Sequence, residues 1–263
     1  MTALQLIEAT RPGWAGIEGT SSSRELRAKP PERDGTPGRA IYRLHVEHSG
    51  RFLEVREHEP GSAIPAFCAE RHVNPDTTFC LFLGSHFAPR TEAQAQVWWD
   101  GLLAFLQHQQ FADRYGRWPL EAQMSHGKAA DPQRRMDEIA TGLGWNTEVA
   151  SSMFRGKGWL AGDLPRLLDD GQRLANARSP CPRACRRLHA PFSRRCCDRQ
   201  ACRNDCKREH SPMLRSECPN RSSVEELVRL EHLRRRRERS FIDELRNQGL
   251  VCCGTMHDCP LAA

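Results

Sequence analysis

The chain has 263 residues, an apolar fraction of 38% and a formal net charge of +6. That length admits one large or two modest domains, and the low apolar fraction points to substantial solvated or irregular stretches. No apolar run approaches bilayer length, and the opening Met1-Thr2-Ala3-Leu4-Gln5-Leu6-Ile7-Glu8 lacks the cationic and long apolar regions of a signal peptide. A soluble cytoplasmic protein with no membrane partner is expected.

Residues 1–39 read as a variable N-terminal segment. From about Gly19 to Arg39 they are rich in Ser, Pro, Gly and charge, and no amphipathic helix is expected ahead of Ala40. The pattern then changes. Ile41, Tyr42, Leu44 and Val46, a Ser49-Gly50 turn, then Phe52, Leu53 and Val55 predict an antiparallel hairpin. After Pro60-Gly61, the run Ile64-Pro65-Ala66-Phe67-Cys68 suits an edge strand or an extended crossing, since its proline cannot donate to a ladder.

Helical spacing of Trp98, Leu102, Phe105 and Leu106 predicts a helix from about Glu92 to Arg114. Asp131-Pro132 opens a second helix, carrying Met136, Ile139 and Leu143 and stopping at Gly144. A short third is expected over Leu164 to Ala175. The last runs from Val224 to Asn247, opened by a Ser223…Glu226 capping box and closed by Gly249. Strands followed by helices make the fold class α+β.

The chemistry concentrates in Cys68-Ala69-Glu70-Arg71-His72-Val73-Asn74-Pro75-Asp76-Thr77-Thr78-Phe79-Cys80-Leu81. His72-Val73-Asn74 followed by Phe79-Cys80-Leu81 resembles the ubiquitin-conjugating (E2) enzymes. There a His-Pro-Asn triplet follows a short antiparallel meander, and the transfer cysteine comes several turn residues later. Val73 stands at the place of that proline, and the interval from Asn74 to Cys80 is about two residues shorter. Pro89-Arg90-Thr91 is similar to the Pro-x-x-Thr that opens the helix after the family's cysteine.

The resemblance covers roughly residues 40–145, within an E2-like domain expected over 40–150, and fits divergent bacterial E2-like proteins with a cysteine-rich extension. It implies an E2-like antiparallel β-meander with flanking helices. Cys80 would accept a ubiquitin-like modifier as a thioester and pass it to a target, which requires an accessible cysteine that reacts as thiolate. Asn74 would donate to the developing oxyanion or else brace the loop, and His72 would hold the loop through hydrogen bonds. Cys68 is the rival nucleophile. The implied partners are the modifier, an E1-type activating enzyme and a JAB-type peptidase of the same pathway. The opposing reading is an inactive E2-like scaffold with a zinc-binding basic module for nucleic acid or protein. Exposure of Cys80 discriminates the two, since a thiol buried against Trp98 and Phe105 would favour the scaffold.

Of twelve cysteines, only Cys68 and Cys80 precede residue 181. The remainder mark residues 151–263 as a basic, cysteine-rich helical module. Cys181-Pro-Arg-Ala-Cys185 and Cys202-Arg-Asn-Asp-Cys206 are paired C-x3-C units, followed by His210, Cys218, Cys252-Cys253 and Cys259. Four thiolates from two such pairs can close a tetrahedral structural zinc site, so Cys181, Cys185, Cys202 and Cys206 are the candidate ligands. A helical hairpin stapled by disulfides is the alternative. The spacing does not match a RING. The run Arg234-Arg235-Arg236-Arg237 reads either as a solvated face or as a surface for nucleic acid or an acidic protein.

Overall fold

The computed structural model describes residues 1–20, 22–50, 52–82, 88–174, 218–257 and 259–262. The chain forms two compact units: residues 1–126 with 239–263, and residues 127–238.

The first unit opens with α1 (Ala3–Ala9). Thr2 caps it: its hydroxyl accepts from the Gln5 amide while the Gln5 side chain accepts from the Thr2 amide, satisfying two otherwise orphaned donors. Leu4, Leu6 and Ile7 are buried. Four strands follow as a meander in sequence order: β1 (Ala15–Gly19), β2 (Ser23–Ala28), β3 (Tyr42–Ser49) and β4 (Phe52–Glu57), every neighbour antiparallel. In β3, Tyr42, Leu44 and Val46 alternate inward, and cross-strand pairs Leu26↔Leu44 and Val46↔Val55 stack their apolar groups on one face.

The hairpin around Gly50 therefore forms as expected, but half of the sheet and a helix come from residues before Ala40. The composition boundary at residues 39 and 40 lies between β2 and β3 of one sheet. Ser23-Arg24-Glu25-Leu26-Arg27-Ala28 lies in the stretch rich in Ser, Pro, Gly and charge, yet forms β2. It pairs because Leu26 and Ala28 supply the buried face while Arg24 binds the Glu8 carboxylate at 2.8 Å.

After β4 the buried Glu57 carboxylate accepts from the amides of Gly61 and Ala63 and from the Ser62 hydroxyl, at 2.9–3.1 Å. It shapes the turn that feeds the extended crossing towards Cys68. The central helix, α2 (Glu92–Tyr115), starts at the Thr91 cap and ends at Gly116, whose φ of 60° is left-handed. Trp98, Trp99, Leu102, Phe105 and Leu106 are its buried stripe. The Trp99 indole donates to the Ile7 carbonyl at 2.9 Å, fastening α2 to α1.

The second unit holds α3 (Ala130–Leu143), α4 (Asn146–Phe154) and the first part of α5 (Arg221–Asn247). Met136, Ala140, Trp145, Val149, Leu160, Val224, Leu227 and Val228 form its core. α4 was not anticipated, and the boundary drawn at residues 150 and 151 lies inside it. The helix expected over Leu164–Ala175 is absent from the described part. Pro165 and the Asp169-Asp170-Gly171 turn instead close a small loop bridged between Leu167 and Leu174. α5 begins at Arg221, ahead of the expected capping box. From Arg239, within α5, the chain belongs to the first unit again, where Met256, Cys259 and Leu261 join its core and the His257 amide donates to the Gly116 carbonyl at 2.9 Å. No helix among the described residues is long and apolar enough to cross a membrane.

Candidate active site

A three-residue hairpin loop builds the site. The Asn74 amide donates to the Thr78 carbonyl and the Thr77 amide to the Asn74 carbonyl, at 2.8 and 2.9 Å. Pro75 supplies the fixed φ of the first turn position. Thr77 closes the loop at φ 70°, a left-handed conformation that costs a β-branched residue about 1–2 kcal/mol. The Asp76 carboxylate offsets that cost by accepting from both the Thr78 amide (3.0 Å) and hydroxyl (2.6 Å). Asn74 Nδ2 donates to Thr78 Oγ1 at 3.0 Å, leaving its second amide hydrogen outside that bond.

On either side of the loop the chain is pinned. Val73 bridges both Cys68 and Phe79 in antiparallel fashion. The Phe79 amide donates to the Val55 carbonyl of β4, and its ring stacks on Phe105 of α2 with centroids 4.7 Å apart. The Cys80 amide donates to the His72 carbonyl at 2.8 Å. The structure thus brings His72, Asn74 and Cys80 into one loop cluster. Cys80 is half-buried, its sulfur 3.9 Å from the Phe82 carbonyl, and burial pushes its thiol above the usual range.

His72 sits elsewhere than a proton-transfer group would. Its side chain is 5% exposed, stacked 5.5 Å from His126 and edge-on to Trp118. Burial, with His126 and His108 nearby, lowers its pKa to about 3, so the imidazole is neutral near pH 7. His72 holds the cysteine through its backbone carbonyl. Its φ of 56° belongs to the left-handed region, which histidine enters more readily than most residues.

Sequence reasoning passed over Arg71. It is 1% exposed, and its guanidinium donates to Gln109 Oε1 at 2.6 Å and pairs with Asp113 at 2.6 Å. Gln109 Nε2 returns a bond to the Arg71 carbonyl at 2.8 Å. This two-way clamp fixes the turn Ala69–Arg71 to α2, one residue before the triplet. Gln109 follows Phe105 at helical spacing on the buried face of α2; a polar residue on that stripe was the available signal.

Cys68 is buried, 2% exposed, with its sulfur 2.8 Å from Cys253. Cys181, Cys185, Cys202 and Cys206 lie outside the described residues. Among those described, no group of three or more His, Cys, Asp or Glu side chains could hold a metal ion. The arginine run in α5 is heavily engaged: Arg234 and Arg235 both bind the buried Glu231, and Arg235 also donates to backbone carbonyls of Leu160, Ala161 and Gly162. Arg237 donates to the Lys128 carbonyl.

A four-strand meander between an N-terminal helix and a central helix, with a cysteine on the loop joining meander to helix, defines an E2-like domain. Residues 15–120 match a family model described as a prokaryotic E2 domain, and residues 193–261 one described as a cysteine-rich domain C-terminal to the E2 domain. The chain carries a prokaryotic E2-like domain followed by that cysteine-rich domain. No curated protein and no solved structure matches it.

Proposed function

We propose that Cys80 is a thioester carrier: it takes a ubiquitin-like modifier from an E1-type activating enzyme and gives it to a target nucleophile. The observation that supports this is the placement of a half-buried Cys80, not fully sealed, directly beyond the His72–Asn74 loop of an E2-like domain. A thiol sealed against Trp98 and Phe105 would have favoured a scaffold.

In charging, Cys80 sulfur attacks the modifier's carbonyl carbon, loses its proton to solvent and expels the activating enzyme's thiolate. In discharge, the target nucleophile adds to the same carbonyl. Asn74 Nδ2 donates to the oxyanion as the Cys80 thiolate leaves. The raised pKa of Cys80 lowers the thiolate available for charging and makes that thiolate a poorer leaving group, so discharge leans on the oxyanion donor.

The pathway assigned by resemblance, including a JAB-type peptidase and a cytoplasmic setting, belongs to this reading. So does a structural zinc ion on Cys181, Cys185, Cys202 and Cys206, a donor set of thiolates suited to tetrahedral zinc. Elemental analysis of the reduced protein tests the metal, and a zinc-free chain would remove it.

Incubation with activating enzyme, modifier and ATP tests the carrier. A thiol-sensitive adduct should form on the wild type and on Cys68→Ala, and be lost in Cys80→Ala. An adduct that persists in Cys80→Ala and vanishes in Cys68→Ala would reassign the nucleophile.

A further inference from the structure

Cys68 and Cys253 lie far apart in sequence, yet their sulfurs approach to 2.8 Å within the first unit, closer than two unbonded sulfurs need to come. Cys68 stands at the start of the turn before the His72–Asn74 triplet, and its carbonyl accepts from the amides of Arg71 and Val73. Cys253 belongs to the segment after α5, within the span of the cysteine-rich domain. The two cysteines differ in access: Cys68 is sealed, whereas Cys253 is half-exposed. Thr255 Oγ1 lies 3.1 Å from the Cys253 sulfur and 3.4 Å from the Arg71 guanidinium, so a cation and a hydroxyl stand beside the pair.

We propose that Cys68 and Cys253 are a redox couple, oxidised by a hydroperoxide to a disulfide that ties the C-terminal segment to the turn carrying the triplet. Cys253, the accessible member, attacks the peroxide as thiolate: an S–O bond forms, the O–O bond breaks, and Cys253 becomes a sulfenic acid as hydroxide departs and takes up the proton the thiol had released, giving water. Cys68 sulfur then displaces hydroxide from Cys253, forming the S–S bond, and its proton leaves with that hydroxide as a second water. Two thiols and one hydrogen peroxide thus give one disulfide and two waters.

The electrostatics agree with this order. The pKa of Cys253 is lowered to about 5 by its hydrogen bond with Cys68 and by Thr255, with Arg71 adding to the effect, whereas the same contact and burial push Cys68 up. Access sets the same order: half-exposed Cys253 is the sulfur a peroxide reaches, and buried Cys68 beside it is the resolving group. Cys252 offers competition, since it is hydrogen-bonded to Cys259 and accepts from the Gly254 amide. That engagement leaves Cys253 facing Cys68. Closing so long a loop restricts the unfolded chain, so the disulfide should also stabilise the first unit.

The full-length protein is reduced, freed of reductant, treated with one equivalent of hydrogen peroxide and capped with a maleimide. Proteolysis and fragment mass spectra that separate Cys252 from Cys253 then read the linkage. A Cys68–Cys253 cross-link is expected in the wild type, with a thermal midpoint several degrees above that of the reduced protein. Cys253→Ser, at a half-exposed position and so compatible with folding, should lose both the cross-link and the shift. Maleimide on both cysteines after peroxide overturns the proposal. So does Cys253 linked to Cys252 or Cys259, or a cross-link that forms only after a chelator strips a metal from the sulfurs.

Discussion

The Cys80 amide and the His72 carbonyl are joined by a 2.8 Å hydrogen bond, so the triplet holds the cysteine through backbone rather than through imidazole chemistry. That bond, the Phe79–Val55 bond and the Phe79–Phe105 stack leave Cys80 at the end of a rigid loop. Asn74 is then the triplet side chain with a free amide hydrogen beside the loop, while His72 is sealed and neutral.

Charging and discharge should respond differently to Asn74. Asn74→Ala keeps the backbone loop bonds and should accept the modifier at close to the wild-type rate. Its discharge to an amine should fall by about two orders of magnitude, the usual cost of one oxyanion donor. Thr78→Val removes the bond that Asn74 makes within the loop and serves as control. Single-turnover discharge slowed equally in both variants would make Asn74 a brace.

Arg71 carries the loop's tie to α2. Arg71→Met keeps the length but leaves the fully buried Gln109 oxygen without its donor, costing about 1–3 kcal/mol. Asp113 is half-exposed and its ion pair adds little. Urea unfolding should show a lower midpoint at unchanged slope, and Gln109→Leu added to Arg71→Met should recover part of the loss. Additive losses in the double variant would break the clamp model.

What the sequence showed and hid follows from which signals are local. The Tyr42–Val46 alternation and the Trp98–Leu106 stripe announce themselves because period and burial coincide. The hairpin of β1 and β2 does not, since Arg24 and Glu25 are strand residues only once Glu8 and His45 are near them. The loop that carries Cys80 is legible because the turn-forming Asn74-Pro75-Asp76 and the residues flanking the cysteine are adjacent in sequence. The Arg71–Gln109 clamp and the Cys68–Cys253 approach are long-range pairings, and no local period marks an arginine or cysteine as buried. In the arginine run the partner is local: Glu231, one turn away, binds the guanidinium groups of Arg234 and Arg235.

Acid should destabilise the first unit through His72. Its folded pKa is about 3, below the unfolded value of roughly 6.5, so the unfolded chain takes up a proton that the folded one refuses. Stability contributed by the neutral ring is complete above about pH 6.5 and is lost as pH falls towards 3, by up to about 1.4 kcal/mol per pH unit. His108, also lowered by burial, adds in the same direction. His72→Asn, which tolerates the left-handed backbone, should be less stable at neutral pH but have a shallower pH slope. Parallel slopes in urea titrations between about pH 6 and 4 would refute the assignment to His72.

Gly101 in α2 faces the ring of Phe82, and a Cβ there would lie 2.5 Å from two ring carbons. The ring must therefore move if alanine is introduced, and it is attached to the residue whose carbonyl meets the Cys80 sulfur. Two effects oppose each other: alanine favours the helix by about 1 kcal/mol, while overpacking costs about 1–3 kcal/mol. The ring packs against the core, so the cost should win, and Gly101→Ala should lose about 1 kcal/mol and charge more slowly. In a Phe82→Ala background the clash is gone. There the same Gly101→Ala change should stabilise, by about 0.5–1 kcal/mol, through helix propensity alone. The sign reversal between backgrounds, read by urea unfolding, is the decisive observation. Equal effects in both would show that Phe82 does not rest on Gly101 and that the cysteine loop is positioned without it.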